Sequence, residues 1–225
     1  MSTLAAARLI AAKDLKLELR TRDVLAAVGL FALLIVVVAS FAFPNTGAGR
    51  AGMGAGMLWM AFLFAGLLGM ARSFAQEKEE ACMEGLMVSP VPRESIFLGK
   101  LMSNLAFTLT AEAGILPLSL VLLQLSPGRG LALLLVTTLL GTLGLATVGT
   151  LFSAIAVNLR TREVVLPLLV IPVSLPAMIA AVEATSVALS GRSFGAAGQW
   201  ILLMGGYAAM FLTVAIITFP HLLEE

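Results

Sequence analysis

The stretch that decides the fold is Leu131 to Val157, L-A-L-L-L-V-T-T-L-L-G-T-L-G-L-A-T-V-G-T-L-F-S-A-I-A-V, which contains no charged residue. About 20 apolar residues suffice to cross the hydrocarbon layer of a bilayer as a helix. Moving outward from this run, five more of the same kind occur: 24–43, 53–71, 101–125, 164–182 and 199–219. The whole chain of 225 residues is 60% hydrophobic and 12% charged, with a mean hydropathy of +1.03. No soluble domain needs so much apolar surface. The expectation is an all-α polytopic membrane protein, one permease-like domain over 1–225 with six spans and both termini on one side.

Lysine and arginine are retained in the cytoplasm, so their distribution sets the orientation. With the N-terminus inside, Arg8, Lys13, Lys16, Arg20, Arg22, Arg72, Lys78, Arg93, Lys100, Arg160 and Arg162 are cytoplasmic, and only Arg50, Arg129 and Arg192 lie outside. The net charge of +1 conceals this sidedness and excludes the basic stripe of a nucleic-acid binder. The first 23 residues are read as an interfacial helix: Lys13, Lys16 and Arg20 share one face, and Ala11, Ala12, Leu15 and Leu19 lie roughly opposite. The charged stem is too long, and Phe41-Ala42-Phe43-Pro44 too poor a cleavage site, for a removable signal peptide.

A polar island, 72–100, interrupts the apolar pattern between the second and third spans, on the expected cytoplasmic side. Read as a helix, it puts Glu77, Glu80 and Glu84 on one face and Cys82, Met83, Leu86 and Met87 opposite. Gly85, then Ser89-Pro90 and Pro92, bound it. Cys82 is the single cysteine, so neither an internal disulfide nor a cysteine-rich metal site is available.

Inside the membrane, Thr142, Ala146, Thr150 and Ala154 form a small-xxx-small ridge, with Gly141, Gly144 and Gly149 beside it. Such a ridge packs helices within one subunit or in a homodimer. The fifth span carries Pro167, Pro172 and Pro176, each removing a backbone donor, so a kinked or interrupted helix is expected. Glu112 is the clearly intramembrane charge; it needs a hydrogen-bonding partner from Thr108, Thr110 or a neighbouring span, or a titrating role. Glu183 falls near the outer end of its span, and His221 follows the last span as a lone histidine. No phosphate-binding loop G-x-x-x-x-G-K-[ST], H-E-x-x-H or G-x-S-x-G occurs. The chain is therefore read as no enzyme and without a metal site, and ATP hydrolysis, if it drives the protein, belongs to another subunit.

The order E-x-x-E-x-x-x-E-G-L-M-V-S-P from Glu77 to Pro90, followed by Gly99-Lys100 at the mouth of a span, resembles the coupling loop of ABC-2-type permeases. The segments G-M-L-W-M-A-F-L-F-A-G-L-L-G-M-A-R-S-F (Gly56 to Phe74) and L-P-L-L-V-I-P-V-S-L-P (Leu166 to Pro176) are similar to the heme exporter protein B family, and the likeness runs through nearly the whole chain. That resemblance implies a permease in the bacterial inner membrane. Its partners would be an ABC ATP-binding subunit, which carries the ATP, and the haem-handling membrane protein and haem chaperone of cytochrome c maturation. The resemblance makes haem a possible cargo; Trp59 and Trp200 stand alone and form no tryptophan-rich haem signature, which leaves open whether this subunit touches haem. Glu77, Glu80, Gly85, Leu86, Ser89 and Pro90 carry across as the ATPase-coupling segment. Two other readings share these residues: an ABC-2-type exporter of a lipid, drug or polysaccharide, and a secondary transporter or scaffold in which Glu112 is an ion or proton site.

Overall fold

The computed structural model describes residues 2–21, 23–42, 49–73, 91–157, 159 and 161–222. The described chain is helical: α1 (Thr3–Thr21), α2 (Asp23–Ala42), α3 (Arg50–Ser73), α4 (Arg93–Leu122), α5 (Leu131–Ala156), α6 (Arg162–Leu189) and α7 (Gly198–Leu222), with short 3-10 turns at Gly128–Gly130 and Phe194–Ala197. Six helices, α2 to α7, are long and apolar enough to cross a membrane. The chain is a multi-pass membrane protein.

Within the bundle, α3 and α5 are the most enclosed spans, while α2 and α7 leave most of their surface outward. Leu30, Leu34, Val38 and Phe41 on α2, and Leu202, Met210 and Ile217 on α7, are exposed, as expected where lipid tails are the solvent. Small residues decide where helices touch. A side chain at Gly141 of α5 would overlap the indole of Trp59 on α3, and one at Gly149 would overlap the Met70 thioether. Trp59 is buried and donates from Nε1 to Thr185 Oγ1 of α6 at 2.8 Å, so one indole ties three spans together.

Two helices run past the apolar boundaries. α4 starts at Arg93, directly after Pro92, whose fixed φ suits a helix entrance and whose missing N–H is not needed there. Its 30 residues make a rod of about 45 Å, against a hydrocarbon layer of about 30 Å. The section 93–100 therefore belongs to the helix, with Ile96 and Phe97 buried in the bundle against Ile10 and Phe219. α6 continues to Leu189 and is unbroken through Pro167, Pro172 and Pro176. Pro172 and Pro176 lie on its exposed side, and Tyr207 of α7 donates its hydroxyl to the Val173 carbonyl between them at 2.9 Å.

Candidate functional site

The polar segment itself, with Glu77, Glu80, Cys82, Met83, Glu84, Gly85, Leu86, Met87, Ser89 and Pro90, lies outside the described residues. What the structure describes is the machinery immediately downstream. The start of α4 is clasped by α1. Ala6, Ala7 and Ile10 of α1 are buried, and a Cβ placed on Gly99 would sit 2.7 Å from Ile10 Cβ and 3.0 Å from the Ala7 carbonyl oxygen. Only glycine lets the two backbones approach this closely.

One residue on, Lys100 is 2% exposed and places its ammonium 2.8 Å from Asp14 Oδ2. The Ser103 hydroxyl donates to the Lys100 carbonyl at 2.9 Å and lies 3.4 Å from the same Asp14 oxygen. Gly99-Lys100 thus has a geometric meaning: the glycine admits α1 and the lysine fastens it. Besides the basic and apolar faces legible in its sequence, α1 has a third face, Ala6, Ala7, Ile10 and Asp14, turned to the protein. At the same end of the bundle Arg93 reaches the carbonyl of Pro220 at the end of α7 with a 3.1 Å bond.

From Lys100 a buried polar row climbs α4 one turn at a time through Asn104, Thr108 and Glu112, because residues four apart stack on one helical face. The facing helix is α5. Asn104 Nδ2 donates to Thr150 Oγ1 at 2.9 Å, and Thr142 Oγ1 lies 2.8 and 2.7 Å from the two oxygens of Glu112. The antiparallel register places 104 opposite 150 and 112 opposite 142, and therefore Thr108 opposite Ala146. Of the ridge, Thr142, Ala146 and Thr150 are buried, with Thr142 and Thr150 bonded to α4 of the same chain, while Ala154 is half-buried. Glu112 meets Thr142 rather than Thr108 or Thr110; the Thr110 hydroxyl turns back to the Ala106 carbonyl at 2.7 Å.

At the opposite end of the bundle, Arg50 donates from Nη2 to the Leu123 carbonyl at 3.1 Å and to that of Gln124, capping the end of α4. Unpaired carbonyls and a guanidinium fork match each other in charge and geometry. The described residues hold no group of three or more His, Cys, Asp or Glu side chains able to bind a metal ion.

A model of the CcmB protein family matches residues 5–225. The chain belongs to that family. Proteins called heme exporter protein B are similar along most of their length. That of Rhodobacter capsulatus is 31% identical over 176 residues, 78% of this chain and 80% of the relative. That of Pseudomonas aeruginosa is 30% identical over 161 residues, 72% of each chain. That of Haemophilus influenzae is 32% identical over 148 residues, 66% of each. Membership in the CcmB family thus extends from α1 to the end of the chain and takes in the α1–α4 clasp, the polar seam and the Trp59 contact.

Proposed function

We propose that this chain is the membrane permease subunit of an ATP-driven ABC transporter complex that serves haem delivery, or release of the haem-loaded chaperone, in cytochrome c maturation. The family match over 5–225 carries the reading, and the name heme exporter protein B shared by the relatives supplies the cargo class. ATP is bound and hydrolysed by a separate ATP-binding subunit docked on the 72–100 segment, and both termini lie on that cytoplasmic side. The acidic face of Glu77, Glu80 and Glu84 steers docking, and Cys82, Met83, Leu86 and Met87 supply the apolar anchor.

The described structure supports a route for the force. A push on the segment enters α4 at Pro92 and Arg93, and the Asp14–Lys100 pair makes α1 move with it. The α4–α5 seam then transmits the displacement into the middle of the membrane. Haem, where it is handled, passes as cargo between this subunit and the haem-handling membrane protein.

The test is purification of the complex in mild detergent. Leu86→Asp is expected to release the ATP-binding subunit and abolish cytochrome c maturation with membrane insertion intact, whereas Glu80→Lys only weakens association, more so at low salt. Retention of the ATP-binding subunit by Leu86→Asp would overturn the docking assignment. Absence of any ATP-binding partner from the wild-type complex would overturn the ABC reading.

A further inference from the structure

Donors and acceptors do not balance in the α4–α5 seam. Thr142 has one hydroxyl hydrogen, yet its oxygen lies within bonding distance of both carboxyl oxygens of Glu112. One turn toward α1, the Thr108 hydroxyl is buried with no hydrogen-bond partner. One turn the other way, Thr138 Oγ1 is likewise buried without a partner, facing the level of Leu116. Unlike Thr110, Ser119 and Thr147, which bond the carbonyl four residues earlier, neither hydroxyl turns back to its own helix. A buried hydroxyl left unpaired costs about 1–3 kcal/mol. Two such hydroxyls flank the Glu112–Thr142 pair, on the face that carries the buried Asn104 and Thr150.

We propose that the α4–α5 seam is an internal hydration site, in which ordered water bonds the hydroxyls of Thr108 and Thr138 and the carboxyl of Glu112. Each unpaired hydroxyl lies one helical turn from the Glu112–Thr142 pair, so a water bonded to it has the carboxyl as a second partner, and a water needs between two and four. Toward α1 the polar row continues through Asn104 to the Asp14–Lys100 pair, whose Asp14 is 16% exposed. Past Glu112 come the buried Ile115 and Leu134, and the next buried hydroxyl of α4, Ser119, bonds back to the Ile115 carbonyl at 2.8 Å. The site is thus a half-column that opens toward the α1 end and stops past Glu112.

Met70 provides a built-in reporter. A Cβ on Gly66 would touch both Met70 Cε, at 3.4 Å, and Thr108 Cγ2, at 3.5 Å, so the thioether lies beside the Thr108 position while being itself buried. Met204, equally buried on α7, serves as control. The intact complex is exposed to a radiolytic hydroxyl-radical pulse in oxygen-18 water, and oxidation is read by mass spectrometry. Met70 is expected to be labelled several-fold more than Met204, and Thr108→Val, which keeps the shape and removes the hydroxyl, to abolish the excess. The same variant is expected to lower the midpoint of thermal unfolding by about 2–4 °C. A dry seam gives the reverse: Met70 labelled no more than Met204, and Thr108→Val neutral or stabilising, because an unpaired hydroxyl has been removed. Either result overturns the proposal.

Discussion

The Asp14–Lys100 pair makes an asymmetric prediction. Lys100 is 2% exposed and Asp14 16%, and Asp14 has a second cation, Lys13, at 3.2 Å from its other oxygen. Removing the lysine charge by Lys100→Met keeps the stem packed and leaves a carboxylate that water and Lys13 can still serve; the expected cost is about 1–2 kcal/mol. Asp14→Ala instead deprives a buried ammonium of its carboxylate, and breaking a buried pair in that way costs about 3–5 kcal/mol. The double replacement Asp14→Leu with Lys100→Met removes both charges together and should recover most of the loss. Unfolding of the purified protein, followed in detergent as a double-mutant cycle, gives all three values. With about 2–4 °C per kcal/mol for a chain of this size, the two single variants should be clearly separated in midpoint. If Lys100→Met proves as costly as Asp14→Ala, or the double variant is worse than either single, the pair does not fasten α1 to α4.

Glu112→Gln is expected to fold and to retain activity, since the amide still accepts from Thr142 and adds a donor; loss of activity at normal expression would assign Glu112 a titrating role. Gly99→Ala drives a methyl group into Ile10 and the Ala7 carbonyl, so α1 should lift from α4, at a cost of about 1–3 kcal/mol, and become open to proteolysis. Gly141→Ala displaces the Trp59 indole and breaks its bond to Thr185, which should shift tryptophan fluorescence to the red and lower the unfolding midpoint. Reporter fusions at Asn45, Gly128 and Gly191 should all report the outer side; a fusion at Pro90 or Thr161 doing so would refute the orientation taken from the basic residues.

Class, span number and family were legible in the residues because each rests on local information. The length of an apolar run and the absence of charge within it have the same meaning wherever the run packs. The E-x-x-E-x-x-x-E-G-L-M-V-S-P order and the Gly56 to Phe74 segment carried the family likeness in the same local way. The need of Glu112 for a hydrogen-bonding partner was legible too, since a polar group in hydrocarbon must be satisfied.

Which partner it finds was not. Apolar spans such as α4 and α5 carry little amphipathic signal, since lipid and protein neighbours are equally apolar, so periodicity cannot say which face turns inward. Tertiary packing chose that face. The ridge of Thr142, Ala146, Thr150 and Ala154 read as a packing seam without a named partner helix, and the bonds of Thr142 and Thr150 to Glu112 and Asn104 supply α4. Lys100 counted toward sidedness as a charge at the mouth of a span, and only the approach of α1 over Gly99 shows it buried against Asp14. Trp59 stood alone in the sequence; its partners Gly141 and Thr185 belong to two later spans. The sequence by itself determined that these helices must cross a membrane, because burial in lipid is a property of each segment alone. Tertiary structure decided what each buried polar group answers to, because a hydrogen bond between spans depends on the register of two helices that the chain does not place side by side.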